Sequence, residues 1–167
     1  MGWPLPPVLL ILLFIEKKTW MLGDIDRISG IGLHLDMVLR KVQDAYLRVF
    51  QEMDIDMTIE QWVILYRIHE LGSEASQAAI VRSNFRNRAT TSRVIGGLER
   101  KGWISKKRFK GDKKRYRLVL TPAGEAIISQ IQPRANALRK LAVKDMDAAD
   151  FQVFLTVLDK IGENYTE

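Results

Sequence analysis

Cysteine is absent from the 167 residues of the sequence. Its absence excludes a disulfide framework, a cysteine-based zinc site and a thiol redox sensor. Histidine is scarce as well, and the two histidines, His34 and His69, lie far apart in the chain. This spacing is typical of surface or helix-packing residues rather than metal ligands. We therefore expect neither a metal site nor a cofactor.

The sequence also lacks an apolar run long enough to cross a bilayer as a helix, which takes about 20 residues. The run WPLPPVLLILLFI at 3–15 has only thirteen. Its basic neighbours, Lys17 and Lys18, follow it, and no small-residue cleavage site comes after it, so a signal peptide fits poorly. We interpret residues 1–20 as an apolar extension ahead of a start at Met21. The alternative is an arm that packs at a dimer interface. We expect no membrane partner.

Charge is distributed very unevenly along the chain. The segment from Arg82 to Arg117 holds 14 basic and two acidic residues, a local net charge of +12, whereas the other 131 residues carry a net charge of −6. A basic module within an acidic body is typical of proteins that bind nucleic acid. Charge alone would also suit an anionic membrane surface or an acidic protein partner.

Periodic apolar residues predict helices on both sides of this basic module. One stripe spans about 25 residues: Ile28, Ile31, Leu35, Val38, Leu39, Val42, Tyr46, Val49 and Phe50. Thr58 and Gln61 form the capping box of a second helix, which Gly72 ends. Ser76 can cap a short third helix that runs to about Arg82.

Asn87 can cap a fourth helix, whose buried side we expect to hold Val94, Ile95 and Leu98. Two short strands follow, WISKKRF and RYRLVLT, joined by the loop KGDKK at 110–114. We expect amphipathic strands with their cationic side chains outward, and with Tyr116, Leu118 and Leu120 on the other face. A fifth helix starts at Thr121 and Pro122 and bends at Pro133, and Asp147 caps the last one.

The predicted fold class is therefore mainly α with a small antiparallel β wing, a winged helix-turn-helix. In such a fold the helix after the turn reads the major groove with its first turns, here NRATTSR. We expect Arg88 and Arg93 to contact guanine or phosphate, and Thr90, Thr91 and Ser92 to contact phosphate or a thymine methyl group. The wing would bring further cations to the DNA backbone or minor groove: Lys110, Lys113, Lys114 and Arg115.

From Thr58 to Gly124 the sequence resembles the MarR family of bacterial transcription factors. The matching motifs are TIEQWVILYRIHELG, NRATTSRVIGGLERKGWI and GDKKRYRLVLTPAG. The resemblance implies a homodimer, with a dimerisation helix at 21–56, a DNA-binding winged helix-turn-helix at 57–121 and dimerisation helices at 122–167. It also implies that Asp112 braces the wing and that Lys114 stands where the family usually has an arginine in the minor groove. A small aromatic acid effector could bind near His34, Trp62 and Tyr66.

The sequence departs from the family pattern at two further places. Gly96 and Gly97 stand where the family commonly has an aspartate and a basic residue, and we interpret them as neutral drift on a packed helix. The segment VRSNF at 81–85 replaces a frequent Leu-Ala pattern, and we expect Phe85 to supply the missing core contact.

These features predict a cytoplasmic, homodimeric regulator, a ligand-responsive repressor, that binds a pseudo-palindromic operator in double-stranded DNA. The alternative is a non-catalytic interaction module that docks an acidic protein or RNA. The sequence DIDMT, from Asp54 to Thr58, matches an aspartyl-phosphate phosphatase signature, which requires a strand before the first aspartate. Because a helical stripe precedes it, we interpret this motif as an interhelical loop and expect no enzyme activity.

Overall fold

The computed structural model describes residues 30–84, 87–109 and 112–165, with no account of the side chains at 83, 84, 109 and 112–115. The predicted extension at 1–20, the core contact of Phe85 and the position of Lys110 lie outside the described residues. The chain divides into two compact units, residues 1–44 and residues 45–167. The division into dimerisation and DNA-binding segments remains a prediction.

The residues that the structure describes form eight regular elements in the predicted order. They are α1 Gly30–Glu52, α2 Ile59–Leu71, α3 Gln77–Asn84, α4 Arg88–Arg100, β1 Ile104–Phe109, β2 Asp112–Leu120, α5 Pro122–Ala142 and α6 Ala148–Glu163. A short 3-10 turn, Gly72–Glu74, follows α2. The two strands form an antiparallel sheet. The predicted fold class is confirmed.

The helices begin where the sequence places capping side chains. The hydroxyl of Thr58 accepts the amide N–H of Gln61, and the Gln61 side chain accepts the N–H of Thr58, a complete capping box. The side chains of Asn87, Thr121 and Asp147 cap α4, α5 and α6 by accepting the N–H three residues later, without a reciprocal bond among the described residues. The motif from Asp54 to Thr58 is thus a loop between α1 and α2, as predicted.

The second unit encloses a hydrophobic core to which α2 contributes most. Its fully buried side chains come from every element between the end of α1 and α5, and include Phe50, Ile64, Leu65, Ile68, Ile80, Ile95, Leu98, Ile104, Leu118, Ile128 and Ile131. Burial of this kind contributes about 1.5–3 kcal/mol for each large side chain. The core therefore holds α4 and the base of the strands against α2.

Apolar side chains also remain exposed, in each unit separately. In the first unit the described part of α1 exposes Ile31, Leu33, Leu35, Met37, Val38, Leu39 and Val42. In the second unit α5 and α6 expose Leu141, Val153, Phe154, Leu155 and Val157. Among the described residues, no helix combines the length and the apolar character needed to cross a membrane.

Candidate nucleic-acid interface

The helix pair α3 and α4 is held together near the start of α4. The Ser76 hydroxyl accepts the N–H of Ala79 and so starts α3. The side-chain amide of Gln77 then donates to the carbonyl oxygen of Arg88 at 3.5 Å. Beside this bond lies a cleft of about 340 Å³, lined by Gln77, Ala78, Val81, Arg82 and Arg88. Two arginines, Arg82 and Arg88, therefore lie where the two helices approach each other. Arg82 was not among the DNA-binding residues predicted from the sequence.

The first turns of α4 present a polar outer face. Arg88, Ser92 and Arg93 are exposed, and Thr90 is half-buried. The Asn87 side chain accepts the N–H of Thr90 at 2.8 Å, which satisfies one of the free amides of the first turn. Of the five residues predicted on α4, Arg88, Ser92 and Arg93 are therefore fully accessible and Thr90 is partly accessible.

Thr91 is the exception, and its predicted DNA contact is wrong. It is fully buried, and its hydroxyl donates to the carbonyl oxygen of Asn87 at 3.1 Å. On a helix, residues at spacings of four and seven share a face, so Thr91 lies in line with the buried Ile95 and Leu98. Thr91 is a core residue whose polar group is satisfied within its own helix.

The two strands pair from Ile104 opposite Leu120 to Arg108 opposite Tyr116. Beyond Arg108 the register shifts, and Phe109 pairs with Asp112. Strand β2 thus starts at Asp112, so Asp112, Lys113, Lys114 and Arg115 belong to the strand and not to the loop that the sequence suggested. The connection between the strands is correspondingly shorter.

The orientation of the wing cations differs from the prediction. Lys106, Lys107 and Arg108 are all exposed. Lys106 pairs with Leu118 and Arg108 pairs with Tyr116, so Lys106 and Arg108 lie on the face of Leu118. From there the Lys106 ammonium reaches the carboxylate of Glu99 on α4 at 2.7 Å. Tyr116 is 43% exposed, because at its level the hairpin has left the core. Tyr116, Leu118 and Leu120 share one face of the sheet, as predicted, whereas the expectation that every cation lies on the opposite face is wrong for Lys106 and Arg108.

The base of the wing is fixed to the segment before α3 by main-chain contacts that the sequence did not signal. The N–H of Leu118 donates to the carbonyl oxygen of Ala75 at 2.8 Å. The next residue, Ser76, forms an isolated antiparallel bridge with Arg117. These contacts set the position of the hairpin relative to α3 and α4.

A second set of contacts, made by the Lys101 side chain, fixes the C-terminal end of α4. The ammonium of Lys101 donates to the main-chain carbonyl of Asp56, to the Asp56 carboxylate at 2.8 Å and to Oε1 of Gln61 at 3.3 Å. It also lies 4.9 Å from the ring centroid of Trp103. Lys101 thus joins the C-terminal end of α4 to the loop before α2.

The three residues predicted to line an effector pocket occupy different surroundings. Trp62 is buried, with its ring centroid 6.2 Å from that of Phe50 and 5.3 Å from that of Tyr66. Tyr66 is half-buried, and the Arg139 guanidinium lies 4.7 Å from its ring centroid. His34 is exposed on the part of α1 that belongs to the first unit. The effector pocket remains a prediction.

The acidic side chains and histidines of the described residues are dispersed. Within the described ranges, no three histidine or acidic residues are grouped so that they could hold a metal ion. The first turns of α4 and strand β1 of the adjoining hairpin expose the basic residues Arg88, Arg93, Lys107 and Arg108. A surface of this kind can bind a polyanion through charge-assisted hydrogen bonds.

Comparison with known proteins agrees with this geometry. A sequence model of the MarR family matches residues 57–116, from the end of the α1–α2 loop to the middle of β2. Among solved structures, the chain is similar to a putative MarR family transcriptional regulator from Listeria monocytogenes complexed with 26mer DNA. The two are 26% identical, 82% of this chain and 89% of the Listeria chain are covered, and the TM-score is 0.69.

Two further solved structures share the fold at lower identity. The S. aureus MepR–DNA complex is 18% identical, with a TM-score of 0.73, and covers 81% of this chain and 98% of its own. Bordetella bronchiseptica BpsR, described in terms of the regulation of its DNA binding by 6-hydroxynicotinic acid, is 19% identical. Its TM-score is 0.65, with 80% of this chain and 94% of the BpsR chain covered.

Proposed function

We propose that the chain is a MarR family protein and a sequence-specific DNA-binding transcriptional regulator. The observation that carries the proposal is the joint placement of α4 and the hairpin. The exposed residues Arg88, Ser92 and Arg93 lie on the first turns of a helix, beside strands that carry Lys107 and Arg108. The Listeria relative, complexed with 26mer DNA, supports the same role for this chain.

Each part of this surface has a distinct task in the proposed complex. The first turns of α4 enter the major groove, where Arg88 reads guanine and Ser92 and Arg93 contact bases or phosphate. The hairpin lies along the neighbouring backbone, where Lys113, Lys114 and Arg115 neutralise phosphates. Every phosphate contact releases counterions, so binding should weaken steeply as salt rises.

We propose that the regulator acts as a homodimer in the cytoplasm. Large exposed apolar residues mark association surfaces, and both units carry them. The second unit also has a groove of about 560 Å³ between the end of α5 and the start of α6, lined by Arg139, Ala142, Val143, Met146, Asp147, Ala148 and Phe151. A second copy of the chain would cover these surfaces and place two copies of α4 about 34–36 Å apart, one turn of DNA.

We also propose that the protein is a repressor whose DNA affinity responds to a small aromatic acid. BpsR, whose DNA binding is regulated by 6-hydroxynicotinic acid, supports this proposal through its shared fold. An effector of this kind would stabilise a spacing of the two α4 helices that does not match successive major grooves. His34, Trp62 and Tyr66 are the residues to vary first.

The proposal is tested by selecting bound duplexes from a random pool with the purified full chain. A pseudo-palindromic consensus with half-sites one helical turn apart is the expected result. Light scattering during size-exclusion chromatography should give the mass of a dimer. Enrichment of no sequence, together with a monomeric mass, would contradict the proposal.

The same material separates DNA binding from the alternative module that docks RNA or an acidic protein. Duplex DNA and RNA of the same sequence are titrated at several salt concentrations. Tighter binding to DNA supports the regulator, whereas a preference for RNA or for an acidic polypeptide supports the alternative. We propose no catalytic activity, and Asp54→Asn should leave every binding property unchanged.

A further inference from the structure

The outer face of α4 has no side chain at its centre. With 3.6 residues per turn, Ser92, Arg93, Glu99 and Arg100 surround position 96 on this face, and all four are exposed. Position 96 is a glycine, and so is position 97. Two glycines within a helix cost stability relative to alanine. The missing side chains leave space on this face of α4.

The Arg100 guanidinium occupies the space beside both glycines. A Cβ at Gly96 would lie 3.6 Å from Nη1 of Arg100. A Cβ at Gly97 would lie 3.9 Å from Nη2 of Arg100 and, closer still, 3.4 Å from the side-chain amide nitrogen of Gln61. The side chain therefore folds back along the helix toward its N-terminus, which is the direction that helical side chains favour. It places the charge at the level of residue 96, about 12 Å along the axis from Arg88.

The ionic neighbours of Arg100 are bound to other groups. Glu99 pairs with Lys106 at 2.7 Å, and Lys101 pairs with Asp56. No ion pair to Arg100 is present among the residues that the structure describes. Arg100 thus keeps an exposed planar group with five donors, which suits the oxygens of a phosphate.

We propose that Arg100 is a further DNA-contacting residue, and that Gly96 and Gly97 provide the space in which its guanidinium lies against α4. The inference rests on the proposed function and deepens it. In a helix-turn-helix the N-terminal residues of the recognition helix contact base edges, so a cation about two turns further along α4 is placed to meet phosphates rather than bases. Arg100 would then add affinity without sequence preference.

The experiment compares Arg100→Gln with the unchanged chain by fluorescence anisotropy, on the selected duplex and on a shuffled duplex, across a range of NaCl concentrations. Loss of one phosphate contact should weaken both duplexes alike, by about fivefold to tenfold. It should also lower the slope of log K against log salt by about one. Arg134→Gln is the matched control, because Arg134 is exposed on α5, outside the basic module, and should change neither value.

Gly96→Ala distinguishes two possible roles of the glycines, which are to leave space for the Arg100 guanidinium or to make α4 flexible. Alanine fits at position 96, since 3.6 Å is an ordinary contact distance. Gly96→Ala should therefore raise the melting temperature and keep DNA affinity within about twofold of the parent. A large loss of affinity in Gly96→Ala would mean that the glycines act as a hinge, and would overturn their proposed role.

Gly96→Leu instead fills the space that the guanidinium uses. Its effect on affinity should be smaller in an Arg100→Gln background than in the parent. Equal effects in both backgrounds would contradict the inference, as would parental affinity and salt slope in Arg100→Gln. If the unchanged chain binds no duplex at all, the proposed function fails first, and this result is distinct from a failure confined to Arg100.

Discussion

Gly124, in the first turn of α5, lies directly against the carbonyl oxygen of Trp103, the residue immediately before β1. A Cβ at this position would overlap that oxygen and also approach Leu120 at 3.3 Å. The same carbonyl accepts the N–H of Thr121 at 3.0 Å, and the Thr121 hydroxyl donates to the carbonyl of Gly102 at 2.6 Å. The segment before β1 and the segment after β2 are therefore in direct main-chain contact at the base of the wing.

Gly124→Ala should destabilise the protein by about 3 kcal/mol or more, because main-chain atoms cannot rotate away from the added methyl group. Urea unfolding followed by far-UV circular dichroism measures the change. Gly162→Ala is the control, since a Cβ at Gly162 meets no atom within 4 Å and lies within α6. The control should gain up to about 1 kcal/mol. Equal effects of the two variants would show that the main chain at Trp103 can shift at little cost to make room for the added methyl group.

Lys101 and Asp56 contribute unequally to stability, although they are partners. The Asp56 side chain is 95% exposed, so Asp56→Ala should cost less than about 0.5 kcal/mol. Lys101→Met keeps the aliphatic stem but removes the donor to the Asp56 carbonyl, the Asp56 carboxylate and Gln61, and should cost about 1–2 kcal/mol. Unfolding free energies of the two variants check this order. A larger loss in Asp56→Ala would contradict it.

Arg88 and Lys113 should affect DNA binding in different ways. Arg88→Ala should relax the preference at one base pair by about 1–3 kcal/mol, if the guanidinium binds guanine through two hydrogen bonds. Lys113→Ala should weaken all duplexes alike and lower the salt slope by about one. Competition binding with single-base variants of the selected duplex distinguishes the two outcomes. Indistinguishable effects on random DNA would contradict this division of roles.

The starts of the helices were predictable because capping is a local interaction. Thr58, Asn87, Thr121 and Asp147 each accept an N–H three residues later in the sequence, so residue type and spacing suffice to find them. Apolar periodicity likewise indicated the buried side of α4. These features depend on a few neighbouring residues and on helix geometry.

Contacts between distant segments were not predictable in the same way. The bridge of Ser76 with Arg117 and the bond from Lys101 to Asp56 join residues more than forty positions apart. No local pattern indicates them. The early start of β2 at Asp112 was missed for a different reason, because Gly-Asp signals a turn but not how many residues it spans.

Thr91 was misassigned although its spacing carried the correct signal. It stands four residues before Ile95 and seven before Leu98, which is the buried face of α4. A polar residue type near the helix start suggested DNA contact instead. The position of Thr91 on the buried face determines its role, because its hydroxyl can be buried there with a hydrogen-bond partner within the helix.

Thr91→Val and Ser92→Ala should therefore have opposite effects. Thr91→Val removes a buried hydrogen bond and should lower the free energy of unfolding by about 1 kcal/mol, with DNA affinity unchanged. Ser92→Ala alters an exposed residue and should leave stability within about 0.5 kcal/mol while weakening DNA binding. Paired measurements of urea unfolding and duplex affinity test both. If Thr91→Val weakened DNA binding more than Ser92→Ala without a loss of stability, the buried position of Thr91 would not persist in the DNA complex.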